Sequence, residues 1–341
     1  MQQHDQTKQV YKHLILGGGL AGSCLALALA RSGESPALLH APHRVAASRV
    51  PLALYNPAAA MKARLGWEAV KCHETLNALI EELGRFCGGT ETFVKETGVL
   101  RPCLDENMRK NFKQSLEKHA WPPGWVSWKT PEALKQEFPG VFHTFGGLWV
   151  PVGKTFNMPV LMDRLHAMLR EKYGVEIIKA EISRLQAAAG TGNNGARWRL
   201  QAQKPSPEKQ ALRNGGKPGE AAGMQEYRAH AVIAACGSGL PQLLKAYLPD
   251  RLKTHRVKGQ TLRVSRPVPQ EFKPSVASKG YVAFFDEQAV VGSTYEHHFR
   301  EEEALQPTEE ARNRLEAKVE RSFTENRAGK TGRPPQAQWA G

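Results

Sequence analysis

Residues 17 to 22 of this chain read Gly-Gly-Gly-Leu-Ala-Gly, set between an apolar run, Tyr11 to Leu16, and a small-residue stretch that continues to Gly33. A strand that ends in a glycine turn and feeds directly into a helix is the opening of a dinucleotide-binding βαβ unit. The glycines have separate physical tasks. Gly17 suits the tight turn that ends the strand, Gly19 lets the backbone approach a pyrophosphate, and Gly22 lets the helix pack closely on the sheet. The unpaired N–H groups at the helix start then face the phosphate charge. Gly17, Gly18, Gly19, Leu20, Ala21 and Gly22 are therefore the first candidate binding residues.

The spacing continues into the helix with Ala26, Leu29, Ala30 and Gly33 in register, which separates this motif from an isolated glycine loop. The stretch between His13 and Arg31 carries no charge. It is nevertheless short for a membrane span, and four glycines interrupt its start. Residues 1 to 12 are polar and mixed in charge, without the basic cluster of a secretory leader. We therefore expect a cytoplasmic protein with no membrane partner.

A chain of 341 residues exceeds what one core usually serves, so two domains are expected. Its five cysteines, Cys24, Cys72, Cys87, Cys103 and Cys236, are scattered and never two apart, which suggests neither a disulfide framework nor a zinc site. The twelve histidines form no metal pattern either; His297 and His298 are neighbours, and on a strand they would point to opposite faces. No metal is expected. The net charge of +14 favours anionic partners through long-range attraction. The densest basic stretch outside the C-terminal tail sets Arg251, Lys253, Arg256, Lys258, Arg263, Arg266 and Lys273 against one acid, Glu271.

Further along, Pro36 to Leu39 reads as the second strand. The position after it, where nucleotide-binding folds place an acid for the adenosine ribose, holds His40. A neutral imidazole can still hydrogen-bond a hydroxyl, so His40 joins the candidates. Apolar spacing predicts helices over 67–83, 105–119 and 157–173, and strands over 93–100, 146–153, 175–185 and 197–202. Trp121, Trp125 and Trp128, interleaved with prolines, are expected to cap a core. Residues 203–226 are rich in Gly, Pro, Lys, Glu and Ala and read as a flexible insertion. Tyr227 to Gly239 then forms a buried strand that ends in glycines, a second point suited to close cofactor approach. A final helix over 308–323 starts at Thr308, with Ala311 where a capping box has an acid.

In this order the pieces resemble the FAD-dependent oxidoreductases of the D-amino-acid oxidase superfamily, in the branch with glycine oxidase and sarcosine oxidase. The resemblance covers nearly the whole chain. It rests on the extended glycine motif, Ser48-Arg49-Val50 followed by Tyr55-Asn56-Pro57, the strand ending at Cys236-Gly237, Val257-Lys258-Gly259-Gln260, and Val291 to Glu296. The C-terminal oxidase half of the bifunctional enzyme that makes 5-methylaminomethyl-2-thiouridine in tRNA is similar too. The resemblance implies an α/β (α+β) protein in which a Rossmann-like FAD-binding domain (1–60, 145–185 and 227–250) is interleaved with a mixed-sheet substrate domain (61–144 and 251–325). It implies that Ser48 and Arg49 add phosphate contacts, that Ile182 offers backbone groups to the adenine, that Gly237 lies against the phosphate-ribose portion, and that Val50 and Cys236 are also among the cofactor-binding residues.

The implied chemistry is oxidation of a C–N bond in a small amine or amino acid by hydride transfer to flavin, a step needing orientation more than a base, so no catalytic residue is named. A tRNA wobble-uridine oxidase acting on carboxymethylaminomethyl-uridine, with tRNA as partner, is the alternative that the charge favours. Glycine-oxidase-like enzymes hold the substrate carboxylate with an arginine just after a Trp-Ala-Gly motif. Here Trp339-Ala340-Gly341 are the last three residues, so residues 326–341 are expected to form a truncated tail, with Arg327-Ala328-Gly329 and Arg333 as another alignment. A non-catalytic FAD-binding protein is the third expectation.

Overall fold

The computed structural model describes residues 9–42, 44, 46–188, 196–203, 223–249, 255–300, 306–323 and 338–340. The expected insertion lies largely outside them, as do Arg251, Lys253, Arg327-Ala328-Gly329 and Arg333. The chain divides into two compact units, Met1–Arg49 with Met162–Arg256 and Val50–Leu161 with Val257–Gly341.

The first unit is built on a six-stranded sheet in the order Glu176–Lys179, Pro36–His40, Val10–Leu16, Met224–Ala234, Trp198–Gln203, Glu181–Ala187. The first four strands pair in parallel and the last two are antiparallel additions. Leu14, Ile15 and Leu16 have no exposed surface, nor has Leu38 beside them, so the centre of the sheet is a continuous apolar layer. Pro36 begins its strand, where its missing N–H costs no ladder bond. The helix Leu20–Arg31 returns the chain between the first two strands and ends on Gly33, whose φ of +82° is the left-handed conformation of a helix C-terminus. The N–H of Glu34 donates to Leu29 O there. Residues 224–234 serve two pairings, since Arg228 to Ala234 run beside the first strand while Met224 to Ala229 pair with Trp198–Gln203.

The second unit carries an eight-stranded mixed sheet, Gln338–Ala340, Thr261–Val264, Gln288–Gly292, Tyr281–Phe285, Ser275–Ala277, Val99–Pro102, Gly147–Val150 and Ser127–Lys129 in spatial order. A three-stranded sheet (Leu52–Tyr55, Lys154–Asn157, Val94–Lys95), a two-stranded pair (Ala58–Ala59 with Arg64–Leu65) and the helices Ala69–Cys87, Glu106–Lys118, Pro131–Glu137 and Glu309–Ser322 also belong to it. Asp105 and Thr130 cap their helices by accepting from Met108 N–H and Ala133 N–H, and Thr308 accepts from Ala311 N–H without a reciprocal acid. Trp125 is buried, and Trp121 and Trp128 pack on the cluster around Met108, Phe112 and Leu148, so this aromatic stretch belongs to a core.

Three expectations need correction. The 93–100 run is two strands, Val94–Lys95 and Val99–Pro102, because Gly98 turns the chain between different partners. The 175–185 run is also two strands, on opposite edges of the same sheet, parted at Ala180, whose N–H donates to His40 O. Residues 50–60 and 145–161, expected in the FAD-binding domain, fall in the second unit: Gly147–Val150 pairs with Val99–Pro102 and Ser127–Lys129, and Lys154–Asn157 with Leu52–Tyr55. His297 and His298 lie outside any strand.

Candidate nucleotide site

Three adjacent parallel strands of the first unit, Pro36–His40, Val10–Leu16 and Met224–Ala234, end at one edge of the sheet. Loops at the carboxyl ends of parallel strands form the crevice where such sheets bind ligands. This edge gathers the glycine turn, His40, Cys236 and Gly237. The turn is tied to both neighbours, with Gly17 N–H donating to Leu39 O (2.9 Å) and Ala235 N–H to Leu16 O (2.7 Å). Gly17 has φ +113°, and a side chain there would run into the Ala235 carbonyl. A methyl group on Gly22 would strike the Gly17 carbonyl oxygen, so the close helix-to-turn approach read from the motif is present.

The helix Leu20–Arg31 has Gly19 as its N-cap, with no side-chain cap and no acid in the first turn. Ser48 Oγ accepts from Leu20 N–H at 2.9 Å. Among the described residues the N–H groups of Gly18, Gly19 and Ala21 have no protein acceptor. Arg49 donates from Nη1 to Asp163 Oδ1 (2.7 Å), so its guanidinium is held at the site by a partly exposed ion pair. Val50 follows directly and falls to the second unit. Cys236 Sγ lies 3.2 Å from Leu16 O, and burial pushes its thiol up to about 11. Gly237 has φ +54° and open space where a side chain would be. Ile182 sits on the antiparallel edge strand at a bulge, packed against the core cluster that also contains Leu16 and Cys236.

His40 leans into the turn. A methyl group on Gly18 would lie 2.5 Å from its Nδ1, and its ring meets His166 edge to face, centroids 5.1 Å apart. His166, on the helix Met158–Glu171, is 5% exposed. Its Nε2 is 3.1 Å from Gly18 O and 3.0 Å from Ser23 Oγ. Burial first pushes both imidazoles down to about 4, aided at His40 by His166 and then Arg49 and at His166 by Arg49. Sequence reasoning missed His166, Ser23 and Asp163. The one available signal was a histidine on the same helix face as Met162, Leu165 and Leu169, where a polar residue needs a partner.

These groups form a turn that can receive an anion, with bare backbone donors, no acid in the first turn of the helix, and a cation, Arg49, held alongside by Asp163. Residues 12–341 match the family model described as DAO, FAD dependent oxidoreductase. The chain belongs to this family. It is an oxidoreductase, and its cofactor is FAD. No curated protein matches it. Similar solved structures include iminodiacetate oxidase from Chelativorans sp. (19% identity, 97% of this chain and 81% of that one, TM-score 0.67). Glycine oxidase from Geobacillus kaustophilus is similar at 17% identity (97% and 80%, TM-score 0.69), as is L-proline dehydrogenase from P. horikoshii at 15% (97% and 81%, TM-score 0.67). These likenesses show the α/β flavoenzyme fold. The residues fit FAD in their chemistry, since the turn offers bare N–H donors with Arg49 alongside, and at Gly19 an added methyl group would meet only Ser48. No helix among the described residues is long and apolar enough to cross a membrane, and no group of three or more metal-ligating side chains occurs among them.

Proposed function

We propose that this enzyme oxidises the C–N bond of a small amine or amino acid, taking a hydride from the carbon beside nitrogen and leaving an imine that water hydrolyses. Bound FAD supplies the hydride acceptor. The chain's own residues bind and orient. Gly17, Gly19 and Gly22 shape the pyrophosphate turn, whose free donors are the N–H groups of Gly18, Gly19 and Ala21. Arg49 places a cation beside it, His40 meets the adenosine ribose as a neutral imidazole, Ile182 offers backbone groups to the adenine, and Gly237 allows close approach at the phosphate-ribose portion. The supporting observation is that three proteins named for oxidising glycine, iminodiacetate or proline share this fold over 97% of the chain.

The test is anaerobic mixing of the FAD-loaded protein with glycine, sarcosine, iminodiacetate or proline while the visible flavin band is followed. Bleaching by at least one secondary amine or amino acid is expected. A protein that binds FAD and is bleached by none of them refutes the small-substrate reading. The net charge of +14 supports a second reading, oxidation of carboxymethylaminomethyl-uridine in tRNA. Phosphate contacts release counterions, so tRNA affinity should then fall steeply with salt. Salt-independent or undetectable tRNA binding removes this alternative.

A further inference from the structure

Gly18 is held from two sides by residues far away in sequence, and one of those contacts selects the direction of the peptide bond that follows it. A carbonyl oxygen can only accept, so the 3.1 Å contact between His166 Nε2 and Gly18 O requires the hydrogen on Nε2. Ser23 Oγ, 3.0 Å from the same nitrogen, shares that hydrogen as a second acceptor. The opposite tautomer would set a ring lone pair against the carbonyl. His166 is buried, so the Gly18 oxygen it holds is turned inward. The Gly18–Gly19 peptide is trans, and in a trans peptide the C=O and N–H point in opposite directions. Anchoring the oxygen inward therefore directs the Gly19 N–H outward, and that N–H has no acceptor among the described residues. His40 closes the other side, its ring lying where a Gly18 side chain would be.

We propose that His166 is a positioning residue for the cofactor: by donating to Gly18 O it locks the Gly18–Gly19 peptide with the Gly19 N–H presented to the FAD pyrophosphate. The inference rests on the reading of the glycine turn as the pyrophosphate site. A free peptide at this place would rotate between orientations, of which one offers a donor and the other a carbonyl dipole repelling the phosphate. The helix Met158–Glu171 adds a second brace, because Asp163, one turn before His166, holds Arg49. One helix thus supports both a backbone donor and a cation of the site.

The experiment compares His166→Gln and His166→Met in the full chain, by titrating apoprotein with FAD and reading flavin fluorescence. Both variants approximate the volume, but only Gln keeps a nitrogen donor that can reach Gly18 O. His166→Met should weaken FAD binding about tenfold, the effect of one neutral hydrogen bond, and His166→Gln should restore most of it. Equal affinity in all three proteins overturns the proposal, and so does an equal loss in both variants, which would assign the effect to ring packing. Gly19→Val serves as the control for the underlying reading; if it leaves FAD binding unchanged, the turn is not the pyrophosphate site. Should His166→Met fail to fold, amide hydrogen exchange in the wild type decides. The Gly19 amide should exchange freely in the apoprotein and become protected with FAD, and a Gly19 amide protected equally in both states overturns the proposal.

Discussion

Acidification challenges the two buried imidazoles at the glycine turn. His40 and His166 both have folded-state values near 4 against an ordinary 6.5, with burial as the leading cause in each. For His40 the next causes are His166, Arg49 and Lys179, opposed by Asp163; for His166 they are Arg49 and Arg170, opposed by Asp163 and the Gly18 carbonyl. The folded state therefore binds these protons more weakly than the unfolded chain. Stability from this source is complete above about pH 6.5 and is lost as pH falls towards 4. Integrating one such displacement gives at most about 2 kcal/mol lost per ring by about pH 5, and the partial exposure of His40 reduces its share. A loss of about 2–3 kcal/mol for the pair is expected between about pH 7.5 and 5. Carboxylates titrate in the same range, so the assay is a difference: urea unfolding across pH for the wild type and for a His40→Gln, His166→Gln double variant. The variant's curve should be flatter by that amount. Parallel curves, or NMR titration of either ring near 6.5, refute the reasoning.

Three further predictions concern single contacts. Gly22→Ala places a methyl group against the Gly17 carbonyl oxygen and should cost about 1–3 kcal/mol and lower FAD uptake, both absent if the helix can slide without penalty. Ser48→Ala removes the acceptor of Leu20 N–H and should lower thermal stability by about 1 kcal/mol; an unchanged melting temperature would show that the helix start needs no cap. Arg101, 3% exposed, donates to Ala58 O, to Ala60 O at 2.7 Å and to Ala277 O at 3.4 Å, and its guanidinium lies over Phe112. Arg101→Met should cost about 2–4 kcal/mol by orphaning these carbonyls, measured by urea unfolding, and a variant as stable as the wild type contradicts it.

The glycine turn was legible because its pattern is local: strand, turn and helix follow one another, with Gly22 required by the Gly17 carbonyl five residues earlier and Gly17 by the neighbouring strand's end at Ala235. Helices 69–87 and 106–118 were legible for the same reason, through a period that one face of a helix must show. Sheet membership was not. Gly147–Val150 has the composition of any buried strand, and only its pairing with Val99–Pro102 assigns it to the second unit. Ala180 is one small residue in a β-type run, yet it separates strands on opposite edges of a sheet. His166 stayed hidden because a lone histidine in an amphipathic helix carries no sign that its partner lies 148 residues earlier.

The four ties on the turn are therefore all long-range: Leu39 O holds Gly17 N–H, Leu16 O holds Ala235 N–H, Ser48 Oγ holds Leu20 N–H and His166 Nε2–H holds Gly18 O, while the Ala235 carbonyl leaves no room for a side chain at Gly17. None of these contacts needs a ligand. The turn's conformation is fixed when the first unit folds, and the conformational entropy of ordering it is spent then. A pyrophosphate arriving at a turn already shaped keeps more of its contact energy as affinity, the general advantage of preorganisation. The motif's glycines supply permission for this backbone path, since other residues would clash or strain. The instruction to adopt it comes from the distant partners, which is why residues 17 to 22 alone indicate a class of ligand and the folded unit is needed to build its site.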